Sequence, residues 1–268
     1  MPAKTATLAI CRLRAVPQRA FLLVAAWLLA SVPVAGGATF GGGGGVDWSA
    51  GPGDQSTSAA SAYAVTSGVR ASVALGVLRF DDRFVGPGYG FLGALALQPR
   101  DGLILRAWSA RHVGEGAFRG WRIKAGPEWV LPRESTLGLF YAHHESSLDG
   151  VLQGGSVEIA TPVAPRFTAR AAGGHLRGGG SVSSSQGTLG VTWAPIARLE
   201  LSADAGLAHN GAFLSAGPPQ GPSGSGGGGL GLPPGLLPGG SSASHVTPSA
   251  SRFETAPTIG LGIRVALP

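Results

Sequence analysis

Charge is scarce in this 268-residue chain: Asp, Glu, Lys and Arg together make up 13% of it, against about 25% in an ordinary soluble domain. That shortfall excludes a typical cytosolic globule and a charge-rich disordered chain. Acid is absent from the first 38 residues, which hold Lys4, Arg12, Arg14 and Arg19. Beyond them 16 basic residues face 14 acidic ones, a near-neutral balance that offers no basic field to nucleic acid. Cysteine occurs once, as Cys11, upstream of the N-terminal apolar segment. It is therefore not placed to carry the lipid of a lipoprotein, and downstream of it disulfides, thiol catalysis and cysteine-based metal sites are excluded. Past residue 38 there is no uninterrupted run of 18 apolar residues and no convincing amphipathic helix.

What is present begins with a secretory pattern. A basic stretch ends at Arg19, an apolar core runs from Ala20 to Ala35, and the small residues Gly36, Gly37 and Ala38 follow. About 16 apolar residues broken by Pro33 are short for a bilayer span, so residues 1–38 read as a cleaved signal peptide. Residues 39–64, with five consecutive glycines at Gly41–Gly45, read as a flexible Gly-rich arm. A second Gly/Pro/Ser tract, Ala216 to Ser251 within a long loop over 210–255, lacks the glycine triplet of collagen. It reads as an excursion from the fold, either a tolerated insertion or a surface contact.

Elsewhere the hydrophobic period is two. Leu199, Leu201, Ala203, Ala205 and Leu207 alternate with Glu200, Ser202, Asp204, Gly206 and Ala208, and the same division recurs around Trp121–Trp129 and Ile259–Leu267. The pattern predicts ten strands, at about 65–80, 88–98, 103–112, 120–130, 136–145, 152–161, 166–176, 186–194, 198–208 and 256–267. Each is near the 9 to 11 residues that a tilted strand needs to cross a bilayer. Connections alternate between tight turns, such as Pro99-Arg100-Asp101-Gly102, and generally longer loops, as in a transmembrane barrel with short periplasmic turns. Pro127 inside the fourth of these strands suggests a bulge.

Lipid offers no hydrogen-bond partners, so a sheet within it must close on itself. The fold class read here is therefore all-β: a transmembrane antiparallel up-and-down β-barrel of about ten strands over residues 65–268. The face opposite the apolar one carries Arg70, Arg106, Arg122, Lys124, Glu128, Glu158, Arg170, Glu200, Asp204 and Arg264. Ten charges suit a wet, salt-bridged lumen better than the dry core of a soluble sandwich or lipocalin-like barrel. Phe80, Phe84, Tyr89, Phe118 and Trp121 are expected near one rim, and Trp129, Phe167 and Trp193 near the other.

In this pattern the chain resembles the outer-membrane β-barrel proteins of Gram-negative bacteria over roughly residues 65–268. That resemblance implies an outer-membrane location with lipid as the surrounding partner. The stretch Gly93 to Arg111, GALALQPRDGLILRAWSAR, resembles the first hairpin of the small barrel family of bacterial cellulose biosynthesis, the S component. One departure is the end, Ala266-Leu267-Pro268, where barrels of the class commonly carry an aromatic residue read by the assembly machinery.

Histidines are the groups best suited to proton transfer and metal binding near neutral pH. His112, His143, His144, His175 and His209 fall at the outer ends of strands, with Asp81, Asp82, Glu145 and Asp149 in the same layer and His245 in the long loop. No metal-ligand spacing is present, and neither a metal nor another cofactor is expected. His144, Ser146 and Glu158 resemble in order and spacing the group of the outer-membrane lipid A deacylases. By that resemblance Ser146 would be nucleophile, His144 base and Glu158 the residue orienting it. The Asn that follows the serine in that family is missing here, and strand parity turns all three residues toward the lumen.

The function read from the sequence is a non-enzymatic accessory of envelope or exopolysaccharide biology, with cellulose secretion the most specific form. Its partners would be exopolysaccharide or components of a secretion complex. The alternatives are a lipid A deacylase-like hydrolase, a narrow channel and an adhesin.

Overall fold

The computed structural model describes residues 39–50, 56–68, 70–82, 86–114, 118–147, 150–178, 183–209 and 255–267. Within them the chain forms twelve strands: β1 (Thr39–Ala50), β2 (Ser56–Ser67), β3 (Ala71–Asp82), β4 (Gly86–Arg100), β5 (Leu103–Gly114), β6 (Arg119–Val130), β7 (Thr136–Ser146), β8 (Gly150–Ala164), β9 (Phe167–Gly178), β10 (Ser183–Ile196), β11 (Leu199–His209) and β12 (Thr255–Leu267). Each strand pairs antiparallel with its sequence neighbours, and β1 pairs with β12 to close the barrel. Strands run from 11 to 15 residues. At a tilt of about 40° each residue climbs about 2.6 Å along the barrel axis, so twelve span about 31 Å, the depth of a bilayer's hydrocarbon core. No helix among the described residues is long and apolar enough to cross a membrane.

The burial pattern is inside out relative to a soluble protein. Leu189 is 70% exposed and Leu261 54%, while Glu128 and Asp47 are each 3% exposed. In water that arrangement would expose an apolar belt and bury unsolvated charge. With lipid outside and a polar lumen inside, both faces meet a matching medium.

Nine of the ten strands expected from alternation are present as β4 to β12, the tenth is met in part by β3, and two more strands precede it. Residues 39–64 are not a flexible arm: β1 and the greater part of β2 occupy them. Glycine ordinarily weakens a strand, and here its lack of a side chain is what permits close packing. A Cβ at Gly43 would overlap the Tyr63 ring, and one at Gly45 would press on the Arg264 side chain. The large lumenal side chains lie flat over glycine backbone on the neighbouring strand. Because β1 bonds both β2 and β12, its backbone groups are satisfied on each side.

Three further expectations are corrected. The segment 65–80 is not one strand; β2 ends at Ser67 and β3 begins at Ala71, which leaves Arg70 outside the lumen. Arg70 is exposed at the short-turn end, 3.7 Å from Asp101, and donates to the Pro99 carbonyl. Pro127 makes no bulge, since the β5–β6 and β6–β7 registers run on across it; the register shifts lie next to short turns, at Leu97/Arg100, Pro162/Ala164 and Trp193/Ile196. Phe80 and Phe118 are not interfacial: both are buried and pack with Ala59 and Leu78. Tyr89 remains outward and 56% exposed; Phe167 and Trp193 are outward and exposed too, and stack at 5.9 Å. The expected signal peptide 1–38, most of the expected long loop 210–255, Phe84, Asp149 and His245 lie outside the described residues, as does the Asp82 side chain.

Candidate functional site

Strand parity turns nine of the ten predicted lumenal charges inward, Arg70 being the exception, and adds Asp47 from β1. Ten ionic side chains on seven strands fall into two groups.

The first group lies on β5 to β8. Arg106 Nη2 donates to Glu128 Oε1 at 2.7 Å. Lys124 forms an ion pair with Glu158, and its ammonium stands 4.7 Å from the centroid of the Phe140 ring, a cation–π contact that holds the charge against the wall. Arg122 Nε donates to His144 Nδ1 at 3.1 Å. Trp108 lies opposite Lys124 in the β5–β6 register. This wall carries three basic side chains and two carboxylates.

The second group lies on β1, β9, β11 and β12. Arg264 bridges two carboxylates, Glu200 Oε1 at 3.1 Å and Asp47 Oδ1 at 3.1 Å. Arg170 reaches the same Glu200 oxygen at 3.3 Å. Asp204 lies over Gly260 and Asp47 over Gly262, where a Cβ would meet their carboxylates. Here two cations face three carboxylates. In the ring order the two groups occupy different arcs, joined at the β8–β9 pair, while β2, β3 and β4 bring no described charged side chain inward.

Toward the long-loop end the lining becomes apolar. Ala59, Leu78, Phe80 and Phe118 form one buried cluster, flanked by Leu92, and Ala142, Leu152 and Leu176 form another. The His112 ring meets Phe80 edge-on at 5.7 Å. The lumen thus has an ionic middle beneath an apolar collar.

The residues of the deacylase resemblance are not brought together. His144 and Ser146 are buried on the lumen side of β7. The β7–β8 register sets His144 opposite Leu152 and Glu158 opposite Gly138. Six residues along β8 separate those levels, about 20 Å, so Glu158 does not orient His144; the partners shown are Lys124 for Glu158 and Arg122 for His144. The histidines divide as well. His112 and His144 turn inward, whereas His143, His175 and His209 follow the outward parity. Among the described residues no cluster of three metal-ligating side chains exists.

Two lumenal residues escaped the sequence reading: Asp47, the acid within the glycine-rich tract, and Tyr63, the ring that covers it. An aspartate followed at once by Trp48 amid glycines was the available signal, one inward polar and one outward aromatic position.

No protein-family model matches the sequence, and no curated protein does either. Solved structures do match. The KdgM porin in complex with disordered oligogalacturonate aligns with a TM-score of 0.54 at 6% identity, over 83% of this chain and 98% of that one. The fold is that of an outer-membrane β-barrel. The NanC porin aligns with a TM-score of 0.53 at 7% identity, over 83% of this chain and 98% of its own. An outer-membrane channel of Pseudomonas putida F1 gives 0.50 at 12% identity, over 88% and 97%. The barrel therefore shares its architecture with these three proteins across nearly their whole length.

Proposed function

We propose that this protein is a narrow outer-membrane channel for small hydrophilic solutes. The observation that carries the reading is the ionic middle of the lumen, where paired carboxylates and cations line two arcs of a closed barrel. Such a lining replaces water around a polar or charged solute, and it would be wasted inside a scaffold meant only to be filled. Twelve strands also enclose more than the eight whose interior side chains just fill. Near-balance of the two signs favours weak ion selectivity and a dipolar or polyhydroxylated solute over a simple ion. The bound oligogalacturonate of KdgM supports a carbohydrate as the first solute class to test.

The purified barrel in planar bilayers should give discrete openings, of low conductance because Arg106, Lys124, Arg170 and Arg264 reach into the lumen. Added acidic oligosaccharide should shorten them. A folded protein that inserts and yields no unitary steps would reject the channel.

A second reading, an accessory role in exopolysaccharide export, rests on the likeness of Gly93 to Arg111, which spans most of β4, the Asp101-Gly102 turn and most of β5. Deletion of the gene would then reduce secreted cellulose; unchanged secretion would leave the channel reading alone.

A further inference from the structure

The exterior has its own charge pattern. On β3 to β6 the outward positions nearer the short turns are apolar, among them Leu75, Leu95, Leu105, Ala107 and Ala125. Toward the long-loop end the same face carries three exposed arginines, Arg79 on β3, Arg111 on β5 and Arg119 on β6. The registers place them together. Arg79 lies opposite Tyr89, Tyr89 opposite Val113 and Val113 opposite Arg119, while Arg111 lies between Phe91 and Trp121. Strands about 4.8 Å apart put the whole group within about 15 Å, and Arg111 and Arg119 are diagonal neighbours at about 7 Å. Tyr89 and Phe91, both more than half exposed, meet edge-to-face at 6.3 Å.

Their height is informative. Arg79 and Arg111 stand nine residues above the turns at Arg70 and Gly102, about 24 Å at the axial rise of a tilted strand, and the apolar band of such barrels is about 25 Å tall. The guanidinium groups therefore sit where acyl chains give way to head groups. An outward arginine is costly at mid-membrane and nearly free at that level, where a phosphate can accept two parallel N–H bonds from it. Two carboxylates border the group: Asp81, one step beyond Arg79 on β3, and Glu145, opposite Trp121. Three cations inside a two-acid border favour a compact dianion over a diffuse anionic surface.

We propose that Arg79, Arg111 and Arg119, with Tyr89, Phe91 and Trp121 between them, dock the phosphorylated head group of an outer-leaflet lipid whose acyl chains lie along the apolar wall below. The site is on the outer surface and does not depend on what passes through the lumen.

Native mass spectrometry of the full-chain barrel in nonionic detergent tests this, with diphosphoryl lipid A and its dephosphorylated form as probes. The wild type should bind the phosphorylated form at about tenfold lower concentration, a preference carried by charge-assisted hydrogen bonds and weakened by salt. R79Q/R111Q/R119Q should lose the preference, R79K/R111K/R119K should keep most of it, and R177Q on β9 should not alter it. Heat-modifiable gel migration confirms that each variant is folded. Should the triple glutamine variant not fold, the wild type decides alone: its preference must fall in 0.5 M NaCl. Equal binding of the two probes, salt-independent preference, or a folded glutamine variant that binds like the wild type would overturn the proposal. Competition by inorganic pyrophosphate at the lipid's own concentration would also overturn it, by making the ligand a free phosphate.

Discussion

Deleting residues 39–67 behind an intact 1–38 segment is expected to abolish the folded barrel. The deletion removes β1 and β2, and β1 is the strand that joins β12 to the rest of the sheet. Without it β3 and β12 present two open edges to lipid, where each unsatisfied backbone group costs several kcal/mol. A row of such groups exceeds the whole stability of a domain of this size, about 5–15 kcal/mol. Closing β3 directly on β12 offers no escape, because the ring would narrow around Arg264, Arg170 and Phe140 while the Asp47 carboxylate that Arg264 holds would be gone. The measurement is gel migration of outer-membrane fractions with and without heating. A normal amount of heat-modifiable barrel from the deleted chain would show that ten strands suffice and that β1 and β2 are dispensable.

Replacing Arg264 by Met is expected to be the most damaging single change in the lumen. The side chain joins Asp47 of β1 to Glu200 of β11, across the seam where the first and last strands meet. All three residues are buried. Removing one member of a buried ion pair costs about 3–5 kcal/mol, since it strands the opposite charge rather than merely losing an attraction. Here two carboxylates are left, with Asp204 nearby, and Arg170 can answer only one of them. The urea midpoint of the barrel in micelles should fall, with the seam opening first and amide exchange rising on β1 and β12. The double variant R264M/D47N should recover much of the loss, because Glu200 keeps Arg170 as its partner and the stranded Asp47 charge is removed along with the cation. In bilayers the single variant should shift the reversal potential toward cation selectivity. A single variant as stable as the wild type would mean that lumenal water screens the seam pair completely.

How much of this could be read from residues alone is clearest on particular strands. Leu199–Leu207 and Ile259–Leu267 announce themselves because large apolar and polar side chains alternate, and that contrast survives without knowing any partner. The segments Gly41–Gly45 and Ser56–Ala64 offer no such contrast: Gly, Ala and Ser look alike on either face. What makes them strands is pairing on both edges and, over Gly43 and Gly45, the bulk of Tyr63 from β2 and Arg264 from β12; none of these partners is adjacent in sequence. Arg70 shows the reverse failure, since its parity fits the inward face and only the start of β3 at Ala71 leaves it outside the lumen.

By itself, then, the sequence determined the medium on each side of the sheet, because ionic residues and bulky apolar ones cannot exchange places between water and lipid. From that follow the barrel class, the ten obvious strands and nearly all the lumenal charges. The tertiary structure alone decided the strand number, the seam and which charge meets which. Glu158 joins Lys124 and stands far from His144, and Arg264 reaches Asp47 at the far end of the chain. Such pairings depend on register and closure, which are properties of the ring as a whole and have no local trace in spacing.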